Sequence, residues 1–186
     1  MFLSPSKPKQ FVTTPPELLF PSRYGRYIHD IFGPGGVVQA PALAAGNVYM
    51  VPLQIIRHVI LEQIGIPIVT AAGNCRMALY TDNGDQPDGG DLLVETGSLA
   101  LAVGKVESAI SLELSEGLYW LAVNFDAAAV AGGQYIRPHT AWLQLGTLTG
   151  RTFNNGAGYG AFDNPCPVTA ARNDCPDMFV VVTTFL

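Results

Sequence analysis

Residues 106–114 alternate without a fault. Val106, Ser108, Ile110, Leu112 and Leu114 fall on one face of an extended chain, and Glu107, Ala109, Ser111 and Glu113 fall on the other. Successive side chains of a strand point to opposite faces, so this period of two predicts a strand with one face on a core and one in water. The next segment is of a different kind. After Ser115-Glu116-Gly117, which reads as a turn, Leu118-Tyr119-Trp120-Leu121-Ala122-Val123-Asn124-Phe125 is apolar almost throughout. A strand that does not alternate is expected to be buried on both faces.

Shorter runs of the same kind recur. Residues 47–54 place Val48, Met50 and Pro52 on one side, and residues 59–69 form a second run interrupted near Gly65 and Pro67. Cys75, Met77 and Leu79 alternate with Arg76, Ala78 and Tyr80. Residues 92–96 and 98–103 follow a turn-rich loop, and further strands fit residues 134–145 and 178–185. About eight short strands at this spacing predict an all-β fold, a jelly-roll-like two-sheet sandwich. No segment carries a convincing helical period, and a short helix near residues 15–20 is the one helical alternative.

Residues 1–45 differ in character. They hold seven of the fourteen prolines, including Pro15-Pro16, and no sustained alternation. Proline fixes φ and removes a backbone donor, so the stretch reads as an extended arm ahead of a sandwich domain at residues 46–186. Its aromatic content sets it apart from a disordered tail. Phe2, Phe11, Phe20, Tyr24, Tyr27 and Phe32 are the expected partner-binding residues, because an apolar arm without a core of its own is ordered by what it docks against.

Charge supports an assembled state. Charged residues make up 13% of the chain, against a usual share of about 25%. A subunit that buries surface against neighbours needs less charge, which points to a homo-oligomer, with a trimer as the expected form. The net charge is −5. Residues 1–30 carry four basic side chains against two acidic, a net of +2, and the remainder carries six against thirteen, a net of −7. Such a balance disfavours nucleic acid as a partner, while a basic arm suits an acidic neighbour.

Other classes find little support. The start of the chain has no apolar run of signal-peptide length. Residues 31–56 lack charge, yet Gly33, Pro34, Gly35, Gly36, Pro41, Gly46 and Pro52 break them up, so no membrane span is expected. Cys75 reads as a small core residue, while Cys166 and Cys175 lie in a proline-rich loop where a bridge between them is open under oxidising conditions. No zinc spacing, nucleophile elbow or phosphate-binding glycine loop is present, and His29, His58 and His139 stand apart. No enzymatic activity, cofactor or metal is therefore expected. Asp82, Asp85, Asp88 and Asp91 recur every third residue, but Pro87 and Gly89-Gly90 suit a solvated turn better than a calcium loop. Trp120 reads as core, whereas Trp142 and Tyr159 suit either packing or stacking on a ligand.

In their order, these motifs resemble a known domain. The run Val48-Tyr49-Met50-Val51-Pro52-Leu53 is followed by Ile64-Gly65-Ile66. Arg76-Met77-Ala78-Leu79-Tyr80-Thr81-Asp82 comes next, then a Gly- and Asx-rich loop at 83–90. Leu92-Leu93-Val94-Glu95-Thr96-Gly97 follows, and Leu114-Ser115-Glu116-Gly117-Leu118-Tyr119-Trp120-Leu121-Ala122 closes the set. Residues 47–125 thus resemble a β-sandwich domain of tailed-bacteriophage structural proteins, of the tail-fibre or virion-protein kind. The resemblance implies an oligomeric, often trimeric, module on the virion surface, made in the host cytoplasm and contacting the major capsid protein or tail proteins. It carries no catalytic residues. The chain lacks the heptad or fibrous repeat of a fibre shaft, and its arm-plus-module layout resembles a capsid decoration (cement) protein. A tail fibre, adaptor or baseplate protein binding a host receptor or glycan is the alternative.

Overall fold

The computed structural model describes residues 26–29, 42–55, 58–131, 150–154, 158–172, 176 and 178–185. Among them there is no helix, and the strands form two antiparallel sheets packed face to face, a two-sheet sandwich. In chain order the strands are β1 (Arg26–His29), β2 (Ala42–Leu43), β3 (Asn47–Ile55), β4 (Val59–Thr70), β5 (Asn74–Thr81), β6 (Leu92–Glu95) and β7 (Leu99–Ala100). They continue with β8 (Gly104–Leu114), β9 (Gly117–Phe125), β10 (Ala129–Ala131), β11 (Gly150–Asn154), β12 (Ala170–Arg172) and β13 (Phe179–Phe185).

The first sheet is built around β4. Strand β8 runs along one edge of it from Val59 to Ile68. The other edge is shared: β13 pairs with it as far as Gly65, and β10 takes over at Ile68. Strand β1 extends β13, and β2 extends β10. Two stretches within residues 1–45 therefore carry sheet pairing, and Tyr27 stands opposite Val181. The second sheet runs β12-β11-β3-β9-β5, with β6 and β7 sharing the outer edge of β5.

The break expected near Gly65 and Pro67 does not occur, and β4 is continuous. Gly65 serves a packing need instead. A Cβ there would run into the ring of Phe179, its cross-strand neighbour on β13. Pro67 falls between the stretches paired with β13 and β10, where the ladder on that edge is already interrupted. The inward parity of β4 also switches: Val59 and Leu61 are buried on one side of the irregularity, and Ile64, Ile66 and Ile68 on the other. Relative to β13, Glu62 is one extra residue in β4, whereas relative to β8 the bulge lies in β8, with Ile110 and Ser111 opposite Glu62 alone.

The core is in two parts. Between the sheets, Leu61, Ile64, Ile66, Val180 and Val182 of the first sheet join Tyr49, Val51, Leu53, Met77, Leu79, Leu121, Val123 and Phe125 of the second. On the outer face of the second sheet, Val48, Met50, Ala78, Tyr80, Trp120 and Ala122 form a smaller cluster with Phe162 and Cys166. Strand β9 contributes to both clusters, as its unbroken apolar run predicts.

Ser115-Glu116 does not close a hairpin. It carries the chain from β8 in the first sheet to β9 in the second. The β4–β5 and β9–β10 connections cross in the same way, and one clamp ties them together. The Asp126 carboxylate accepts hydrogen bonds from the Asn74 amide N–H and side-chain Nδ2, both at 2.6 Å. Gly73 makes room for it: its φ is +69°, and a Cβ there would collide with Asp126 Oδ1.

Candidate functional site

The long loop at residues 82–91 and the segment at 158–169 form one unit on the outer face of the second sheet. Burial explains the need for it. Trp120, Tyr80 and Met50 point away from the inter-sheet core, and a sheet face this apolar requires a cover. The 158–169 segment supplies one by laying Phe162 and Cys166 over the cluster, with the Phe162 ring edge-on to Tyr80 at 6.3 Å between centroids. It acts as a strap.

Strap and loop are then fastened by hydrogen bonds. Gly89 N–H donates to the Cys166 carbonyl at 2.7 Å, and Cys166 N–H donates to the Gly90 carbonyl at 2.9 Å. Asp88 Oδ1 accepts from both the backbone N–H and the hydroxyl of Thr169. Leu92 N–H donates to Asn164 Oδ1 at 3.2 Å, and the Tyr80 hydroxyl donates to the Asp163 carbonyl at 2.7 Å. Below the loop, Trp120 Nε1–H donates to Asp82 Oδ1 at 2.8 Å, while Asp82 Oδ2 accepts from the Asp85 N–H at 3.0 Å.

These contacts show what the acidic repeat does. Asp82 anchors the loop to a buried tryptophan, and Asp88 anchors it to the strap. The turn chemistry read from Pro87 and Gly89-Gly90 is present: Gly90 N–H donates to the Pro87 carbonyl at 2.8 Å, and Gly89 has a φ of +77°. Gly90 has a different role, because a Cβ there would strike the Thr81 carbonyl. Among the described residues no group of three or more His, Cys, Asp or Glu side chains is placed to hold a metal ion.

A second set of contacts fastens the other half of the strap. The Tyr159 hydroxyl lies 2.6 Å from Ser98 Oγ, and the Arg76 guanidinium stands 5.9 Å from the centre of the Tyr159 ring. Arg76 also pairs with Glu95 at 3.8 Å, and Glu95 Oε2 accepts from the Phe162 N–H at 3.1 Å. Asn124 Nδ2 donates to the Gly158 carbonyl at 3.2 Å. Two buried atoms of this set, Arg76 Nε and Asn124 Oδ1, have no partner among the described residues, and the two residues stand opposite each other on β5 and β9.

The nucleophile candidates are subdued. Burial, helped by the nearby Asp126 charge, pushes the Cys75 thiol up to about 12. Burial, with Asp88 and Asp163 adding to it, does the same for Cys166, again to about 12. Both thiols therefore stay protonated at neutral pH and make poor nucleophiles. Burial also raises the Tyr80 hydroxyl well above the ordinary phenol range. The Cys166 thiol lies near Met50 Sδ, and Cys175, the other half of the bridge left open by the sequence, falls outside the described residues. His58 pairs with Glu113 at 2.7 Å on partly exposed ground.

Of the expected arm residues, Tyr27 lies in β1 opposite Val181, while Phe2, Phe11, Phe20, Tyr24 and Phe32 fall outside the described residues. Cys175, His139, Trp142 and the strand expected at 134–145 also fall outside them. Tyr159 packs within the molecule rather than standing free. Sequence reasoning missed the strap. The clue was the doubly apolar β9: its outer face, with Trp120, needed a lid, and Phe162 and Cys166 were apolar residues in a stretch otherwise read as loop. Compared with known proteins, the chain matches no family model and no curated protein.

Proposed function

We propose that this chain is a structural protein of a tailed-bacteriophage virion, most simply a capsid decoration protein. In this reading the sandwich is the displayed body of a homo-oligomer, a trimer, and the apolar, basic N-terminal arm attaches it to the major capsid protein. The observation that carries it is the combination of an aromatic, proline-rich arm with a charge-poor sandwich whose long loop is tied down internally. Loops that recognise small ligands keep polar groups free for them, whereas Asp82, Asp88 and Glu95 are engaged in holding the strap. The order of strand motifs over residues 47–125 supports the same reading.

Because β1 belongs to the sheet, the anchoring role falls to the residues ahead of Arg26, with Phe2, Phe11, Phe20 and Tyr24 as the apolar contacts. Burying each such side chain is worth roughly 1.5–3 kcal/mol, enough for a few to offset the ordering of an extended arm. The test is antibody labelling of intact particles by electron microscopy, with full-length chain and a variant lacking residues 1–24. Dense label over the shell, lost in the truncated variant while its circular dichroism stays β-type, is expected. Label confined to the tail would replace the decoration reading with a fibre or baseplate one, and unlabelled particles would end both.

A further inference from the structure

Of the described asparagines, Asn83 alone is followed by glycine. Asn74 and Asn124 lie within strands and precede Cys75 and Phe125, and Asn164 precedes a proline, which has no amide proton. Asn83 and Gly84 are both exposed in the 82–91 loop. Gly84 has a φ of +75° and open space where a Cβ would stand. Among the described residues its N–H donates to no acceptor. The Asn83 side chain has one fixed point, Nδ2, which donates to the Asp88 carbonyl at 2.9 Å. That bond engages the amide nitrogen and not Cγ.

We propose that Asn83 is a modification site, at which the Gly84 nitrogen closes on Asn83 Cγ and the asparagine is converted, through a succinimide, to aspartate and isoaspartate. The Gly84 N–Cγ bond forms as the Cγ–Nδ2 bond breaks. The Gly84 amide proton passes to solvent, and Nδ2 leaves as ammonia with a proton from water. Water then opens the ring. Addition at Cγ gives aspartate, and addition at the α-carbonyl carbon gives isoaspartate, in which the main chain runs through the side-chain carbon. One water is consumed and one ammonia released, with no oxidant or reductant. Glycine favours closure because no Cβ crowds its nitrogen. The neighbouring Asp88-Gly89 pair has the same ring chemistry available, but its reacting groups are engaged. Gly89 N–H donates to the Cys166 carbonyl, and Asp88 Oδ1 accepts from Thr169.

Conversion acts on the strap. A carboxylate accepts hydrogen bonds and donates none, so neither product keeps the contact to the Asp88 carbonyl. Each also adds a negative charge to a loop that already holds Asp82, Asp85, Asp88 and Asp91. Asp88 is the residue whose carboxylate fastens Thr169, so Asn83 braces that latch from the loop side. Losing the brace loosens the 166–169 part of the strap, where Cys166 is buried against Met50. The site holds for a chain of any function.

Incubation of the folded full-length chain at mildly alkaline pH, followed by tryptic mapping, tests the site. Asn83 falls in the peptide 77–105, apart from Asn155, which falls in 152–172. The 77–105 peptide is expected to give two products of equal mass, each with an amide exchanged for an acid, and fragmentation is expected to place the change at position 83. The folded chain should convert within several-fold of the rate of a urea-unfolded control, and Gly84→Ala should slow it several-fold. Conversion in the unfolded control alone, or a Gly84→Ala chain as fast as wild type, overturns the site. Asn83→Asp, which is one of the two products, measures the consequence. It is expected to raise alkylation of Cys166 several-fold, read on peptide 152–172, with no change at Cys75, read on peptide 58–76. An unchanged Cys166 rate overturns the brace, and an equal rise at Cys75 overturns it too, since that is general unfolding.

Discussion

The two ends of the sandwich are held by different means. At one end lie the 82–91 loop, the end of β8, the 115–116 connection and the start of β4, with Asp82, Asp85, Asp88, Asp91, Glu113 and Glu116 among them. At the other lie the connections at 44–46, 71–73, 101–103 and 126–128, where Asp126 is the single charged residue. There the exposed side chains include Val103, at 73% exposure, and Val69, at 52%. The acidic end has a ten-residue loop whose own turns do not fix it to the sheet, so Asp82, Asp88 and the strap hold it in place. The apolar end has connections of three residues each that backbone geometry largely determines, and one aspartate suffices to pin two of them.

The largest expected effect breaks the acidic end at its foundation. Trp120 is fully buried and carries the loop through its Nε1–H bond to Asp82. Trp120→Ala should destabilise the protein by about 3–5 kcal/mol in urea unfolding. A loss under about 1 kcal/mol would mean that the strap cluster contributes little and that the inter-sheet core carries the fold alone.

Glycine substitutions sharpen the contrast between the ends. Gly73 and Gly84 have similar positive φ values, +69° and +75°. A methyl at Gly84 meets nothing, whereas one at Gly73 strikes the Asp126 carboxylate. Gly84→Ala should therefore cost about 1 kcal/mol from backbone strain alone, and Gly73→Ala roughly twice that or more, because the clamp is displaced as well. Thermal unfolding of the two variants compares them directly; equal losses would remove the clamp from the account.

The smallest effect is on pH dependence. Hydrogen bonds from the Asn74 backbone, then from its side chain, hold the Asp126 carboxyl below the usual carboxylate range. A depressed pKa means that the clamp's stabilisation is present above the unfolded-state value and is lost as pH falls through the folded one. The group is exposed, so solvent screening keeps the effect small. Asp126→Asn should flatten the acid side of the stability profile slightly, below about pH 4, and leave the neutral region's slope unchanged. An unaltered acid slope would show that the clamp does not depend on charge.

Legibility in the sequence followed the same division. Strands β3, β5, β8 and β9 were readable because alternation, or its conspicuous lack in β9, reports directly which faces are buried. Strand β4 was misread at Gly65 and Pro67, since a glycine needed for Phe179's ring and a proline in a ladder gap look locally like a turn. The short strands β10, β11 and β12 offer three to five residues each, too few for a period to register, and they exist because longer neighbours template them. The acidic repeat was read correctly as turn chemistry through Pro87 and Gly89. That Asp82 reaches Trp120 and Asp88 reaches Thr169 is a matter of tertiary contact across 38 and 81 positions, which no local pattern encodes.

The pairing of β1 with β13 has a consequence for how the protein is made. Residues 26–29 can complete their edge of the first sheet only after residues 179–182 exist. At a synthesis rate of 5–20 residues per second, that interval lasts roughly 8–30 s. Throughout it, β4 has neither β13 on its edge nor the cover of Phe179 over Gly65, so a nascent chain carries an unfinished sheet beside its neighbours on the same message. The unfinished edge of β4, rather than any face of the finished sandwich, is then the surface that synthesis leaves open to misassociation.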